Sequence, residues 1–268
     1  CSTEYSSSNN DYLNQYDFEL SNFQKHAIDA IVKGQHVLVT AHTGSGKTLP
    51  AEFAIEYFTK LNKKVIYTSP IKALSNQKFY EFSKKYPELS IGILTGDIKF
   101  NPDAQVLIMT TEILQNNLYK KLQKNTITSN LHFNMDIDNE LACVVFDEIH
   151  YINDVDRGKV WEETILLLPK QVQMVMLSAT IDKPEIFANW CEKRYENNNK
   201  KVYLASTNHR VVPLKHYIYL NTNELFYKKL KDETLEKEIK KDMKKPLLLK
   251  EGSNILESNI LKANKIIK

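Results

Sequence analysis

Apolar residues occur along the chain in short continuous runs, separated by stretches with helical periodicity. Five runs show no polar alternation and span His36–Ala41, Lys64–Thr68, Val106–Thr110, Ala142–Phe146 and Met174–Leu177. Continuous Val- and Ile-rich runs are typical of strands covered on both faces, as in a parallel sheet between helices. Apolar spacing predicts helices over 22–33, 71–86 and 111–122, the first two ended by Gly34 and Pro87. This alternation predicts an open α/β sheet with right-handed crossovers.

Two regions depart from the alternation. Residues 120–140 are polar, rich in Asn and Thr and unperiodic, which predicts a surface loop. Residues 224–268 carry dense charge of both signs, which indicates a mobile linker or a solvated helix. We therefore expect a flexible segment over 1–17, one α/β domain over 18–207, a strand leaving it over 208–223 and a charged connector over 224–268.

Composition excludes several classes of protein. The 268 residues are 42% hydrophobic and 26% charged, which rules out a collagen-like or wholly disordered chain. No apolar run approaches the roughly 18 residues of a membrane span, so no membrane partner is expected. A net charge of +3 is too small to identify a nucleic-acid partner by itself. The three cysteines show no metal spacing, which favours a reducing, intracellular setting. Because the chain begins at Cys1 and not Met, we expect a fragment of a longer protein.

The strongest chemical signal is a phosphate-binding loop, Ala41–Thr48, between a predicted strand and a predicted helix. Gly44 and Gly46 let the backbone turn so that N–H groups face phosphate oxygens, and the helix start adds its positive dipole end. Lys47 can reach the β- and γ-phosphates of ATP, and the Thr48 hydroxyl can hold Mg²⁺. The nucleotide-binding residues expected here are Thr43, Gly44, Ser45, Gly46, Lys47 and Thr48. The first residue is alanine where glycine is usual, but the strand–loop–helix context disfavours a chance glycine-rich turn.

Two later strand ends carry polar residues that complete such a site. The fourth apolar run ends in Asp147-Glu148-Ile149-His150, where Asp147 would hold Mg²⁺ through water and Glu148 would orient and deprotonate the attacking water. The alternative for an isolated Asp-Glu pair is a solvated strand end. The fifth run ends in Ser178-Ala179-Thr180, whose hydroxyls could bond the Asp147 region and sense the γ-phosphate, although such a triplet alone is more often a turn.

The three motifs, their order and their spacing resemble superfamily-two helicases of the DExH type, in particular the superkiller-type RNA helicases that feed the RNA exosome. The resemblance covers about residues 18–220. It includes Tyr67–Lys78, Leu94–Asp97, Asn101–Ala104, Met109–Leu114, Phe146–Tyr151, Asp156–Gly158, Trp161–Glu163 and Leu177–Ile181. It implies a RecA-like P-loop NTPase fold, a three-layer α/β sandwich with a mostly parallel sheet, that uses ATP and Mg²⁺.

The resemblance also assigns roles to individual residues. It makes Phe18 and Gln24 the adenine-recognition element, with an aromatic ring on the base and an amide at its edge. From the residues alone, Phe18 and Phe23 are a helix-start staple, and for Phe23 we keep that interpretation. His150 would couple the ATP site to a partner domain, and Ser178, Ala179 and Thr180 would transmit the nucleotide state.

The resemblance implies a groove for one RNA strand. Its expected residues are Pro70, Lys72, Ala73, Asn76, Gln77, Gly96, Asp97, Thr110 and Thr111. Hydroxyls, amides and backbone N–H groups at loop and helix starts suit phosphate and sugar contacts that do not read bases. Without the resemblance, the same residues would be ordinary helix caps.

The sequence therefore predicts the first RecA-like domain of an ATP-dependent RNA helicase, working in RNA decay or processing with exosome-associated proteins, in the cytoplasm rather than the nucleus. A second RecA-like domain of the parent chain would supply arginines to the ATP site, and nothing after Leu220 resembles it. Three alternatives stay open: a DNA helicase of the related repair branch, a P-loop ATPase that does not act on nucleic acid, and a degenerate binding module.

Overall fold

The computed structural model describes residues 10–123, 135–179, 181–193, 200–207, 215–218, 237, 247–251 and 254–261. The chain divides into two units, Cys1–His209 and Arg210–Lys268. The helices of the first unit are α1 (Asn10–Leu13), α2 (Asn22–Val32), α3 (Leu49–Lys60), α4 (Lys72–Lys85), α5 (Thr111–Gln123), α6 (Gly158–Leu167) and α7 (Pro184–Lys193), with a 3₁₀ helix η1 (Ile149–Asn153). Its strands are β1 (His36–Ala41), β2 (Lys64–Ser69), β3 (Ile91–Leu94), β4 (Lys99–Phe100), β5 (Val106–Thr110), β6 (Leu141–Phe146), β7 (Gln173–Ser178) and β8 (Val202–Thr207).

The first unit is built on one sheet with the strand order β4-β3-β5-β2-β6-β7-β1-β8. Every pairing is parallel except that of β4 with β3. The five strands predicted from continuous apolar runs are confirmed, as are the three predicted helices, each within one residue of its expected ends. No described helix is long and apolar enough to cross a membrane.

Successive side chains of the central strands enter two separate cores, one on each face of the sheet. On one face Val65 and Tyr67 pack with residues of α2, α3 and α4, such as Phe53 and Phe82. On the other, residues such as Ile66 pack with α5, α6 and α7. Both faces are therefore covered, which explains the continuous apolar runs and confirms the three-layer α/β sandwich.

Two segments of the first unit contain structure that was not expected. Within the segment expected to be flexible, α1 is ordered, and Tyr12 packs edge-on against Phe53 and Tyr57 with ring centroids 5.9 and 5.7 Å apart. These edge-on contacts between aromatic rings stabilise the helix. Within the expected loop 120–140, α5 continues to Gln123 and residues 137–140 form a turn, in which Asp136 accepts a hydrogen bond from the Asn139 side chain at 2.7 Å. Residues 1–9 and 124–134 lie outside the described residues.

The second unit contains a three-stranded antiparallel sheet in the order β11-β10-β9. Its strands are β9 (Lys215–Ile218), β10 (Leu247–Glu251) and β11 (Asn254–Ile255), and residues 257–261 are helical. The 224–268 stretch was expected to be a connector, but its apolar Leu247-Leu248-Leu249 run pairs as a strand. Apart from residue 237, the segment 219–246 lies outside the described residues.

Candidate functional site

The phosphate loop connects β1 to α3 at the carboxyl edge of the sheet. Gly44 and Gly46 adopt φ angles of +83° and +80°, where only glycine is unstrained. The Ser45 hydroxyl donates a hydrogen bond to the His42 carbonyl at 2.6 Å. Helix α3 begins directly after Thr48 and tolerates Pro50 in its first turn. The loop thus has the predicted turn and helix start.

The loop lysine is paired with the glutamate of the Asp-Glu-Ile-His box. Lys47 Nζ lies 2.7 Å from Glu148 Oε1, and both side chains are largely shielded from solvent, with 11% and 25% exposed. Glu148 has a φ of +55°, a conformation that costs free energy in a residue with a side chain. The fold thus aims the Glu148 carboxylate at the phosphate loop despite local strain.

The Asp147 carboxylate is 5% exposed and is held on both oxygens. Its Oδ2 accepts a hydrogen bond from the Tyr67 hydroxyl at 2.6 Å, and its Oδ1 accepts one from the Glu148 backbone N–H at 3.0 Å. Burial raises the pKa of Asp147 above its ordinary value, and the Tyr67 hydrogen bond opposes that rise. The backbone N–H of Asp147 also donates to the Thr68 carbonyl at 2.9 Å.

His150 lies beside Glu148, and, among the described residues, Ser178 ends its strand without the hydrogen bond to the Asp147 region that the sequence suggested. His150 Nδ1 is 3.3 Å from Glu148 Oε2, without hydrogen-bond geometry, and the two form an ion pair only when the imidazole is protonated. Ser178 ends β7 between β6 and β1, and its buried hydroxyl has no hydrogen-bond partner within the described part of the chain. Ala179 follows it, and Thr180 lies outside the described residues.

Phe18 and Gln24, the two residues expected to contact adenine, differ in their present contacts. Phe18 is 58% exposed, tilts against Tyr16 at a centroid distance of 5.6 Å, and lines with it a cleft of about 410 Å³. Burial raises the pKa of Tyr16 to about 12, so this phenol stays neutral. The Gln24 amide is already engaged: Oε1 accepts from the Ser21 backbone N–H at 2.9 Å, and Nε2 donates to the Gly46 carbonyl at 3.1 Å. Gln24 therefore ties the start of α2 to the phosphate loop.

A second cleft, of about 590 Å³, opens at the carboxyl ends of β2, β3 and β5. It is lined by Pro70, Ile71, Lys72, Ala73, Gly96, Thr110, Glu112, Ile113, Asn116 and Arg157. Five of the residues expected in the RNA groove lie here: Pro70, Lys72, Ala73, Gly96 and Thr110. Lys72 Nζ is ion-paired with Asp97 Oδ1, so Asp97 adjoins the cleft through that contact.

The other three residues expected in the groove are placed differently. Asn76 and Gln77 are exposed on α4, and Gln77 donates its amide hydrogen to Glu81 at 2.7 Å. The Thr111 side chain is fully buried at the start of α5, so it does not line the cleft, contrary to expectation. Thr111 is fully buried, whereas Thr110, with 7% of its surface exposed, lines the cleft.

Two side chains that sequence reasoning did not assign prove central. Arg157 donates from Nη1 to the Pro70 carbonyl at 3.1 Å and lines the cleft. Its place in the Asp156–Gly158 stretch of the family resemblance is the signal that could have singled it out. Tyr67 looked like a core strand residue, and nothing in its local pattern reveals its bond to Asp147.

The donor set fits magnesium. The Asp147 carboxylate and the Thr48 hydroxyl are hard oxygen donors, which Mg²⁺ prefers. Within the described residues no group of three or more His, Cys, Asp or Glu could hold a metal, so the chain alone does not complete a coordination shell. Mg²⁺ bound through one or two protein oxygens takes its other ligands from water and substrate phosphates. Asp147 and Thr48 therefore fit a Mg²⁺ ion that binds together with a nucleotide.

A phosphate loop, an Asp-Glu box facing it and a second cleft on the same sheet edge define a P-loop NTPase domain of the helicase type. A model of the DEAD/DEAH box helicase family matches residues 21–187. The chain belongs to that family.

Individual relatives agree with the superkiller-type resemblance. The chain is 46% identical over 197 residues to the antiviral helicase SKI2 of Saccharomyces cerevisiae, covering 74% of this chain and 14% of that protein. It is 44% identical over 205 residues to human superkiller complex protein 2, covering 76% of this chain and 15% of that protein. It is also 44% identical over 205 residues to the human exosome RNA helicase MTR4, covering 76% of this chain and 18% of that protein. The chain thus spans less than a fifth of each of these relatives. The structure of the DUF1998 helicase MrfA bound to DNA matches with a TM-score of 0.56 at 18% identity, over 74% of this chain and 29% of that one, which shows the fold alone.

Proposed function

We propose that this chain is the ATP-binding domain of an ATP-dependent RNA helicase that couples ATP hydrolysis to single-strand translocation and duplex unwinding. One observation carries the proposal: a single sheet edge holds both the Lys47–Glu148 pair and, beside it, the Pro70–Arg157 cleft. A translocating enzyme must couple its ATP site to its strand site, and here one sheet connects the two. The names of the relatives, RNA helicases among them, support RNA as the strand and RNA decay with exosome-associated proteins as the setting.

The residues of the nucleotide site divide the work. Lys47 would leave or share its contact with Glu148 to reach the β- and γ-phosphates, and Glu148 would then orient and deprotonate the attacking water. Asp147 and Thr48 would hold Mg²⁺, which when bound neutralises charge on the phosphates. Phe18 is exposed enough to stack on adenine, whereas Gln24 would reach the base edge only by giving up its bond to Gly46.

The chain's cleft suits an RNA backbone. Lys72 and Arg157 supply positive charge, and Thr110 supplies a hydroxyl near the exposed backbone of Gly96. These groups contact phosphate and sugar without reading bases, as an enzyme that moves along any sequence requires. The cytoplasmic location expected from the sequence remains a prediction.

The test compares the 268-residue chain with a parent protein that also contains a second RecA-like domain. An arginine finger is worth about 10³ to 10⁵ in phosphoryl transfer, so we expect the chain alone to bind ATP weakly, to hydrolyse it barely and not to unwind duplexes. The parent should show ATPase activity stimulated by RNA strands. Robust RNA-stimulated hydrolysis by the chain alone would overturn the need for a second domain. Stronger stimulation by DNA than by RNA would favour a DNA helicase instead.

A further inference from the structure

Tyr67 lies on the boundary between the two halves of the sheet. The adjacent strands β3, β5 and β2 end at the cleft, and the adjacent strands β6, β7 and β1 end at the nucleotide site. The boundary runs between β2 and β6, where Tyr67 is paired with Val145. Asp147 follows two residues after Val145 and therefore lies on the same face as Tyr67. The hydrogen bond between Tyr67 and Asp147 crosses this boundary.

The contact fixes the plane of a carboxylate. With Tyr67 on Oδ2 and the Glu148 backbone N–H on Oδ1, each oxygen of Asp147 has one donor at 2.6 and 3.0 Å. A carboxylate offers about four lone-pair directions, so each oxygen keeps acceptor capacity for a further ligand. The backbone donor is present whatever the side chains are. Among the described residues, the Tyr67 hydroxyl is therefore the side-chain group that donates a hydrogen bond to Asp147.

Tyr67 is itself held rigidly. Its side chain is fully buried, and its ring packs edge-on against Phe82 at a centroid distance of 5.2 Å. Phe82 belongs to α4, the helix whose first residue, Lys72, lines the cleft. The ring cannot swing away without disrupting this apolar cluster, so the hydroxyl is a preorganised donor.

We propose that Tyr67 is a positioning residue of the nucleotide site, whose hydroxyl holds the Asp147 carboxylate in the orientation that receives Mg²⁺ together with ATP. The inference rests on the proposed function, because it takes Asp147 as a residue that holds Mg²⁺, directly or through a bound water. Hydrogen-bond partners of metal ligands commonly govern affinity in this way. The alternative is a purely structural bond that only satisfies a buried hydroxyl.

The test replaces Tyr67 by phenylalanine, which keeps the ring and its packing and removes only the hydroxyl. Binding of a fluorescent ATP analogue to the 268-residue chain is titrated with Mg²⁺ and repeated in EDTA. Loss of an outer-shell partner costs about 10- to 100-fold in metal affinity, so the Mg²⁺ concentration at half-saturation should rise about tenfold or more. Analogue affinity in EDTA should change less than about twofold. A purely structural role would instead weaken binding with and without Mg²⁺ alike and lower the unfolding temperature.

Tyr86→Phe is the matched control. Tyr86 is buried in the same apolar cluster, with its ring 6.2 Å from Phe82, at the end of α4 and outside the nucleotide site. For Tyr86→Phe we expect the Mg²⁺ concentration at half-saturation to equal that of the unchanged chain. A further arm uses Asp147→Asn, in which the Mg²⁺ ligand is impaired, and adding Tyr67→Phe there should cause little further change.

The outcomes separate the two proposals. If the unchanged chain binds the analogue with Mg²⁺ dependence and folded Tyr67→Phe matches it within twofold, the positioning role is wrong and the proposed function stands. If the unchanged chain shows no Mg²⁺-dependent binding, the proposed function fails and this inference fails with it. Additive effects of Tyr67→Phe and Asp147→Asn would also overturn the inference, because the hydroxyl would then act elsewhere.

Discussion

The two halves of the sheet differ in how far their charged side chains are shielded from solvent. At the nucleotide half, Asp147 is buried and Lys47 and Glu148 pair at 2.7 Å, largely shielded from solvent. At the cleft half, the paired Lys72 and Asp97 side chains are 52% and 67% exposed. Coulomb interactions strengthen as water is excluded, whereas exposed pairs are screened by salt. We therefore expect the nucleotide half to tolerate substitution poorly and the cleft half to respond to salt, as the proposed function requires.

The largest effect is expected from Glu148→Gln in a parent protein that includes the second RecA-like domain. Loss of a general base costs about 10²- to 10⁴-fold in rate, so RNA-stimulated ATP turnover should fall by that factor. Nucleotide binding should persist, because the phosphate loop is intact. Steady-state hydrolysis and binding of a fluorescent nucleotide measure the two. Exposed Glu162→Gln is the control for loss of a carboxylate; equal losses in both variants would remove Glu148 from its catalytic role.

A smaller effect should follow Gly46→Ala in the 268-residue chain. A side chain at a φ of +80° costs about 1–2 kcal/mol, and the added Cβ would lie 2.6 Å from Gln24 Nε2. The unfolding temperature should fall, and the affinity for nucleotide should decrease.

Gly34→Ala is the control for that variant. Its φ of +72° imposes similar strain, but nothing lies within 4 Å of the added Cβ. The difference in unfolding temperature between the two variants isolates the contact with Gln24. Equal unfolding temperatures and unchanged nucleotide binding would mean that the loop does not depend on Gln24.

At the cleft, Arg157→Ala should weaken binding of a labelled single-stranded RNA to the parent protein about tenfold or more, since a hydrogen bond to a charged group is worth about 1.5–3 kcal/mol. Arg157 both fixes the Pro70 carbonyl and supplies charge. Fluorescence anisotropy across a salt series measures the loss. Lys159→Ala removes an exposed cation that pairs with Glu163 at 3.6 Å on α6; if it weakens binding equally, the effect of Arg157 is general charge and not position.

The smallest effect should come from Asp97→Asn. Releasing Lys72 from an exposed ion pair, which is worth about 0.2–1 kcal/mol, should tighten RNA binding by no more than about fivefold at low salt and hardly at all at high salt. Asp103→Asn, another exposed acid, is the control for net charge. Weaker binding by Asp97→Asn would mean instead that Asp97 itself contacts RNA, as the sequence resemblance implies.

Strands buried on both faces could be predicted from sequence because burial leaves an unbroken apolar run. The strands that were not predicted lack that signature. Edge strand β8 is only partly buried and mixes Tyr203 and Ser206 with apolar residues, while β3 is short and contains Gly92. In β10, Leu247–Leu249 was hidden by the charged sequence around it. The charged residues favoured a connector in the prediction. Three apolar residues are nevertheless enough to form part of a short strand.

The local chemistry can be read from short stretches of sequence: Gly44, Gly46 and Lys47 lie within one phosphate loop, and Asp147 and Glu148 directly follow a strand. Which of these groups meet depends on the folded chain. Lys47 and Glu148 are 101 residues apart in the chain, Tyr67 and Asp147 are 80 apart, and Pro70 and Arg157 are 87 apart. Strand order and register bring them together, and these follow from how helices pack on both faces of the sheet, which no local pattern encodes.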